Sequence, residues 1–241
     1  MKTPPLITAN HALFLDFDGT LTPLIDNPFA SQLLPEVAEA LPQLDALLEG
    51  ALAIISGRDI RSLSERCPHS IMRIGTHGIE ICPAHAPVPT AQPGPDGLKD
   101  LLEELITPHD GAWVEDKGPV CGIHYRNIPS AGPALEMALT NALAEHFPDY
   151  RAQHGKFVLE AKPLAANKGY ALKHVMREAP FEGRFPIMVG DDTTDEDAFL
   201  VAQALGGFAV KVGDGKTHAQ YRLSTPQDVA AWLNSCLSPN S

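Results

Sequence analysis

The chain has 241 residues, of which 44% are hydrophobic and 20% are charged, and its formal net charge at pH 7 is −12. This length and composition exclude a disordered or fibrous protein and predict a globular one, with one large domain or two smaller ones. The acidic balance argues against a protein that binds long nucleic acids, because the phosphate backbone requires clustered Lys and Arg.

Strand and helix patterns alternate in the first part of the chain. The apolar run from His11 to Leu15 predicts a buried strand. The apolar spacing from Leu34 to Glu49 predicts an amphipathic helix, which Pro42 is expected to kink or split. The next predicted elements are a strand, a helix and a strand, at Ala51 to Ile55, Asp59 to Arg66 and Ile71 to Gly75.

A proline-rich segment from Cys82 to Gly97 separates this part from a differently patterned module. The module alternates helix, hairpin, helix and hairpin, which is typical of a small α+β domain. Its elements are Leu98 to Ile106, Ala112 to Glu115 with Val120 to Tyr125, Pro133 to Phe147, and Tyr150 to Gln153 with Phe157 to Ala161. We therefore predict an inserted α+β cap domain at 83–163, within a core domain formed by 1–82 and 164–241.

Alternation of strands and helices resumes after the insert. The predicted elements are a helix from Lys168 to Glu178, a strand from Pro186 to Val189, a helix from Thr194 to Leu205, strands from Phe208 to Val212 and from Tyr221 to Leu223, and a helix from Pro226 to Leu237. Together with the first part, this order predicts an α/β fold, a Rossmann-like parallel sheet with helices on both faces.

Four predicted strands end in polar or acidic residues, which are Asp16, Ser56, Thr76 and Asp191. The carboxyl ends of parallel strands lie at one edge of an open sheet, where ligands bind, so we expect these side chains to converge. Turn chemistry explains any one of them, since Ser, Asp and Gly are common where strands end. It does not easily explain four in the same topological place.

The two carboxylates of Asp16 and Asp18 follow a buried strand directly. They repel each other and lose hydration there, so they require a cation, a proton or hydrogen-bond donors. The Asp-x-Asp-Gly pattern alone is also compatible with an ordinary strand and turn. Together with Asp191, however, these residues form an oxygen-rich site of the kind that suits Mg²⁺.

Groups that bind phosphate are also present. Ser56 and Gly57 offer a hydroxyl and accessible backbone amides, and Lys168 offers a positive charge in the first turn of its predicted helix. Taken alone, Lys168 is better interpreted as a solvated lysine at a helix start, since most lysines are exposed.

Four segments resemble, in order, the motifs of the haloacid dehalogenase-like phosphohydrolases: Asp16 to Thr20, Ser56, Lys168 and Gly190 to Glu196. The longest interval lies between Ser56 and Lys168, where this superfamily carries its C2 type of cap. Within the superfamily the chain is most similar to the trehalose-6-phosphate phosphatases. The segments that carry this similarity are 18–23, 56–58, 75–80 and 190–197 in the core, and 115–117, 124–126, 155–156 and Glu160 in the insert.

The resemblance implies a Mg²⁺-dependent phosphatase that works through an aspartyl-phosphate. Asp16 would be the nucleophile, and Asp18 the general acid and base, oriented by Thr20. Asp16, the backbone carbonyl of Asp18 and Asp191 would hold Mg²⁺. Asp195 would support the waters of the metal. The implied phosphate-binding residues are Thr20, Ser56, Gly57 and Lys168, and the implied substrate-binding residues are Arg58, His77, Glu115, Lys117, Lys156 and Glu160.

Several alternatives stay open. The charged residues of the insert could be solvated surface residues, and His124 and Arg126 could brace the cap sheet. A phosphatase for sucrose phosphate, mannosylglycerate phosphate or a monosaccharide phosphate would share every core residue. A phosphosugar mutase would transfer the phosphoryl group instead of hydrolysing it. A chain of another class, a non-catalytic sugar-phosphate sensor or partner subunit, would have no evident need for both Asp16 and Asp18.

The remaining features concern compartment and partners. The four cysteines form no Cys-x-x-Cys pair, and no apolar run has the length of a signal-peptide core or a membrane span. We therefore expect a cytoplasmic, soluble protein with no membrane or nucleic-acid partner. Its expected ligand is a small-molecule sugar phosphate, and its expected state is a monomer.

Overall fold

The computed structural model describes residues 3–25, 27, 30–155 and 157–238. The chain forms two compact units, which are Met1–Pro89 with Asn167–Ser241 (the core unit) and Thr90–Ala166 (the inserted unit). The division thus falls after Pro89 and Ala166, whereas the sequence analysis placed it after residues 82 and 163.

Strands and helices alternate through most of the chain. The strands are β1 (His11–Leu15), β2 (Leu52–Ile55), β3 (Met72–Gly75), β4 (Glu80–Cys82), β5 (Trp113–Asp116), β6 (Cys121–His124), β7 (Tyr150–Gly155), β8 (Val158–Pro163), β9 (Phe185–Gly190), β10 (Phe208–Val212) and β11 (Tyr221–Leu223). The helices are α1 (Pro35–Leu47), α2 (Ile60–Ser64), α3 (Leu98–Ile106), α4 (Gly132–His146), α5 (Lys168–Val175), α6 (Glu196–Ala204) and α7 (Pro226–Leu237). Among the described residues, no helix is both long and apolar enough to cross a bilayer.

The core unit contains a seven-stranded sheet in the order β11-β10-β9-β1-β2-β3-β4, in which every neighbouring pair is parallel except β3 with β4. The crossovers β1-α1-β2 and β9-α6-β10 run in opposite directions along the sheet. Because such crossovers are right-handed, α1 and α6 cover opposite faces. Helix α7 packs against α1, and α5 packs against α6. The predicted α/β class, with helices on both faces of a mainly parallel sheet, is confirmed.

Two local features differ from the expectation. The sequence analysis predicted no strand after Gly75, but a 3₁₀ turn reverses the chain and Glu80–Cys82 adds to the sheet edge as the antiparallel β4. The turn requires positive φ at Thr76 and His77, which propensity alone does not favour. Helix α1 continues through Pro42 as one element and is not split there.

The inserted unit has a four-stranded antiparallel sheet in the order β5-β6-β8-β7. The two predicted hairpins are present, and pairing of β6 with β8 joins them. One face is apolar and packs with leucines of α3 and α4 through Cys121, Ile123, Leu159 and Ala161. Since side chains alternate along a strand, the intervening residues, which include Glu115 and Glu160, lie on the opposite face. This second face is polar.

Candidate active site

The tight turn after β1 brings Asp16 close to the end of β9. The carbonyl oxygen of Phe17 accepts hydrogen bonds from the backbone amides of residues 20–22. Gly19 is required here because its φ is +83° and because a Cβ atom would lie 2.1 Å from Oδ2 of Asp191. The glycine of the Asp-Gly pair therefore permits the two strand ends to approach.

Three carboxylates meet at this point. One oxygen each from Asp16, Asp191 and Asp195 lie within 4.8 Å of one another, and we call these residues the acid cluster. Asp16 is 4% exposed and Asp195 is 0% exposed. The approach of Asp195 depends on Gly190, since a Cβ atom there would lie 2.2 Å from the Asp195 carboxyl carbon. An oxygen-only donor set around a small space fits a hard divalent cation such as Mg²⁺.

Lys168 is the cation that the structure places in contact with the acid cluster. Its Nζ donates to Asp16 Oδ1 at 2.6 Å and to Asp195 Oδ1 at 2.7 Å. The lysine lies in the first turn of α5, where the Asn167 side chain caps the helix by accepting from the amide of Tyr170 at 3.0 Å. At 3% exposure, Lys168 is a buried ion-pair residue, so the interpretation as a solvated lysine is wrong.

The charges of this site are out of balance. Burial raises the pKa of Asp16 well above its usual range, and although Lys168 opposes the shift, the neighbouring carboxylates add to it. Burial also raises the pKa of Asp191 to about 6, with contributions from Asp195 and Asp192. Burial by itself lowers the pKa of Lys168, but Asp16 and Asp195 raise it by more. Three carboxylates thus share one ammonium, and a bound divalent cation would offset the excess of negative charge.

Ser56 and His77 meet at the ends of β2 and β3. The Ser56 carbonyl accepts from the amide of His77 at 2.9 Å, and its hydroxyl accepts from the amide of Arg58 at 3.2 Å. A Cβ atom at Gly57 would lie 2.7 Å from Cε1 of the His77 ring, so the glycine admits the imidazole. Ser56 and His77 are 2% and 7% exposed, respectively.

Arg58 lies beside Asp18 in a bidentate ion pair. Its Nε and Nη2 each lie 2.7 Å from an Asp18 oxygen, and its guanidinium lies 5.3 Å from the centre of the Phe17 ring. The sequence analysis gave Arg58 a substrate-binding role and Asp18 an acid and base role, with no contact between them. In this structure both carboxylate oxygens of Asp18 are engaged by Arg58.

Thr20 is fully buried close to these residues. Within the described part of the chain its hydroxyl has no hydrogen-bond partner, so the structure shows no bond by which it would orient Asp18. The orienting and phosphate-binding roles of Thr20 stay predictions.

The polar face of the inserted unit carries a second cluster, formed by Glu115, Lys117, His124 and Glu160, which we call the insert cluster. Lys117 Nζ lies 3.0 Å from Glu160 Oε1 and 3.3 Å from Glu115 Oε2. His124 Nε2 lies 2.8 Å from Glu115 Oε2. The predicted residues Glu115, Lys117 and Glu160 are thus brought together, while Lys156 lies outside the described residues. His124 contacts Glu115 on this face, and its role as a brace of the cap sheet stays a prediction.

Glu80 and Lys211 are buried polar residues of the core unit that had no role in the sequence analysis. The Glu80 carboxylate accepts from the Thr76 hydroxyl at 2.5 Å and from the amide of Ile60 at 3.0 Å, which fixes the turn that carries His77. Lys211 lies within the otherwise apolar strand β10 and is 5% exposed. A lysine in an apolar run of strand length is a sequence signal that could have identified it.

Comparisons with known proteins agree with this geometry. The family model described as trehalose-phosphatase matches residues 14–227. A trehalose-6-phosphate phosphatase of Escherichia coli (strain K12) is 37% identical, over 95% of this chain and 87% of its own. The structure of an Aspergillus fumigatus trehalose-6-phosphate phosphatase is 26% identical, covers 96% of this chain and 94% of its own, and superposes with a TM-score of 0.70. A haloacid dehalogenase-like hydrolase from Bacteroides thetaiotaomicron, 17% identical, shares the fold with a TM-score of 0.68 over 92% of this chain and 97% of its own.

Proposed function

We propose that this chain, which belongs to the trehalose-phosphatase family of phosphoric monoester hydrolases, hydrolyses trehalose 6-phosphate to trehalose and inorganic phosphate. The observation that carries the chemistry is the buried Asp16 carboxylate, held by the Lys168 ammonium at 2.6 Å within a cluster of further carboxylates. The substrate rests on the family and on the printed function of the Escherichia coli relative.

The reaction proceeds in two displacements at phosphorus. A carboxylate oxygen of Asp16 attacks the phosphorus, the bond from phosphorus to the sugar oxygen breaks, and Asp18 gives a proton to the departing oxygen. Water then attacks the aspartyl-phosphate and releases phosphate from Asp16, while Asp18 takes a proton from that water. Lys168 fixes the orientation of the Asp16 carboxylate, and Ser56 and Gly57 lie at the neighbouring strand end to receive phosphoryl oxygens.

The acid cluster would hold Mg²⁺ through Asp16 and Asp191, with the Asp18 backbone carbonyl as a further ligand and Asp195 supporting it. The donor set fits because it offers only oxygens and because burial, with the neighbouring carboxylates, raises the pKa of Asp16 and of Asp191, which a bound divalent cation would oppose. When bound, Mg²⁺ supplies positive charge that offsets the charge of the phosphoryl oxygens and of the attacking carboxylate.

The Asp18 to Arg58 ion pair imposes a condition on this mechanism. With both of its oxygens bonded to Arg58, Asp18 must give up at least one of these bonds before it can deliver a proton to a sugar oxygen. Arg58 would then be released towards the substrate. One residue would therefore restrain the acid before the substrate binds and contact the substrate afterwards, which is compatible with the predicted substrate-binding role.

The insert cluster would provide the contacts to the sugar. It combines acceptors on Glu115 and Glu160 with donors on Lys117 and His124, which suits hydroxyl groups because each hydroxyl both donates and accepts. The Lys117 ammonium is already paired with two carboxylates, so it is a poor partner for a carboxylate of the ligand. This favours a neutral disaccharide over mannosylglycerate phosphate and does not by itself separate trehalose from sucrose.

The deciding experiment measures phosphate release from a panel of trehalose 6-phosphate, sucrose 6-phosphate, mannosylglycerate phosphate and glucose 6-phosphate, each with Mg²⁺ and with a chelator. We expect metal-dependent release with a large preference for trehalose 6-phosphate. Preference for another sugar would overturn the substrate and keep the chemistry. Release with the chelator present would overturn the metal requirement.

The Asp16→Asn variant belongs in the same experiment, with the exposed Asp149→Asn as its control. If the protein is an enzyme, Asp16→Asn abolishes release and Asp149→Asn does not. Equal release by both variants would contradict Asp16 as nucleophile. No release by the unaltered protein from any substrate would favour a sensor or a mutase, which isotope exchange between two sugar phosphates distinguishes.

A further inference from the structure

Lys211 occupies an unusual position for a lysine. It lies in β10, whose other residues are apolar, and is 5% exposed. In the sheet it pairs with Gly190, the last residue of β9, so it stands beside the residue that precedes Asp191. Its Nζ donates to the backbone carbonyl oxygen of Asp191, and to that of Val212 at 2.8 Å.

Packing alone does not account for this lysine. Within the described chain Lys211 forms no ion pair with a carboxylate, so its ammonium is buried with carbonyl oxygens as its bonded partners. A buried ammonium is costly, and an apolar side chain of similar length would fill the same strand position without that cost. Through its hydrogen bond to the Asp191 carbonyl, Lys211 contacts the main chain of a residue of the acid cluster.

We propose that Lys211 is a positioning residue for the divalent-cation site, acting through the main chain of Asp191. By holding the Asp191 carbonyl, it fixes the peptide that follows β9 and so directs the Asp191 carboxylate towards Asp16 and Asp195. This inference rests on the metal part of the proposed function and is independent of which sugar phosphate is the substrate.

The test is a Mn²⁺ titration of the whole chain, in which electron paramagnetic resonance measures free Mn²⁺. The variants are Lys211→Met, the exposed Lys216→Met as control, and Asp191→Asn as a reference for loss of the site. We expect Lys211→Met to raise the Mn²⁺ Kd by about tenfold to a hundredfold, as for loss of a hydrogen bond from a charged donor. Lys216→Met should leave the Kd unchanged.

Kinetics separate positioning from a general loss of structure. For Lys211→Met we expect a raised KM for Mg²⁺, with kcat at saturating Mg²⁺ and the KM for the sugar phosphate changed by less than about threefold. A large loss of kcat that saturating Mg²⁺ does not correct would contradict the proposal. If Lys211→Met does not fold, Lys211→Gln, which keeps a shorter donor, should show an intermediate Kd.

Two outcomes overturn the inference, and they differ. If the unaltered protein binds Mn²⁺ and a folded Lys211 variant binds it equally well, the positioning role is wrong and the proposed function stands. If the unaltered protein binds no Mn²⁺ at a site that Asp191→Asn removes, the metal part of the proposed function and this inference fail together.

Discussion

The molecule contains two clusters of charged side chains that differ in burial and in charge balance. In the acid cluster, Asp16 and Asp195 are 4% and 0% exposed, and Lys168 is the ammonium that contacts them. In the insert cluster, the side chains of Glu115 and Glu160 are 29% and 14% exposed, and Lys117 and His124 contact them. The acid cluster is buried and has more carboxylates than ammonium groups, while in the insert cluster each carboxylate contacts a donor.

For this reason the pKa values of Asp16 and Asp191 move in the opposite direction to the pKa of Glu115. Burial raises the pKa of Asp16 and Asp191, and their neighbours are largely other carboxylates. Burial would also raise the pKa of Glu115, but His124 and Lys117 lower it by more. The proposed cation site and the proposed sugar site therefore differ in the partners of their carboxylates, although both consist of carboxylates and a lysine.

The largest expected effect is on the nucleophile. Asp16→Asn removes the attacking carboxylate, so we expect kcat to fall by a factor of about 10⁴ or more in phosphate release. Because it also removes a buried charge of raised pKa, the variant should unfold at no lower urea concentration than the unaltered protein. Residual turnover near one tenth of the original would contradict the assigned role.

Removal of Lys168 should also have a large effect on stability. Lys168→Met leaves the Asp16 and Asp195 carboxylates buried without their ammonium, and we expect the metal-free free energy of unfolding at pH 7 to fall by about 3–5 kcal/mol. Urea denaturation measures this, with the exposed Lys173→Met on the same helix as control. Added Mg²⁺ should restore part of the loss. A decrease as small as that of Lys173→Met would show that Lys168 does not carry the charge balance.

The matching change in the insert cluster should be milder. Glu160→Gln removes one of the two carboxylates that hold Lys117, whose side chain is still 22% exposed, so we expect a change in unfolding free energy of about 1 kcal/mol. In steady-state kinetics the KM for the sugar phosphate should rise by about tenfold, with kcat changed by less than about threefold. A pure loss of kcat would instead place Glu160 in the chemistry.

A smaller effect concerns pH. Because the pKa of Asp191 is raised from its ordinary value of 3.8 to about 6, the folded protein keeps a proton on this carboxyl between these two pH values, while the unfolded chain releases it. The metal-free protein should therefore lose stability as pH rises through this interval, whereas stabilisation by Mg²⁺, which needs the ionised carboxylate, should increase. Thermal melts with chelator and with Mg²⁺, at about pH 5 and about pH 7.5, measure both trends. In the Asp191→Asn variant, both the metal-free stability and the stabilisation by Mg²⁺ should depend less on pH.

Much of the core could be predicted because its signals are local. The apolar run of β1 ends at Asp16 and that of β9 ends at Gly190 and Asp191, so parallel order alone places these carboxylates at one edge. The structure places them within 4.8 Å of each other and of Asp195, which the resemblance, and not the spacing, had supplied.

The parts that escaped prediction depend on contacts between distant or short segments. The Asp18 to Arg58 pair joins two turns after different strands, and neither residue type specifies the other. Strand β4 has three residues, too few for a periodic signal, and depends on positive φ at His77. A lysine in the apolar run of β10 is visible in the sequence, but the partner of Lys211 is a backbone carbonyl, which no residue type specifies.

Strand β1 lies between β2 and β9 in the sheet, and this order has a consequence for synthesis. Strand β2 leaves the ribosome soon after β1, but β9 follows only after the whole inserted unit, which has an apolar core of its own. The nascent chain must therefore keep one edge of β1 unpaired while the inserted unit is completed. Since Asp191 and Asp195 follow β9, the acid cluster is assembled late, and a chain truncated within the insert lacks two of its three carboxylates.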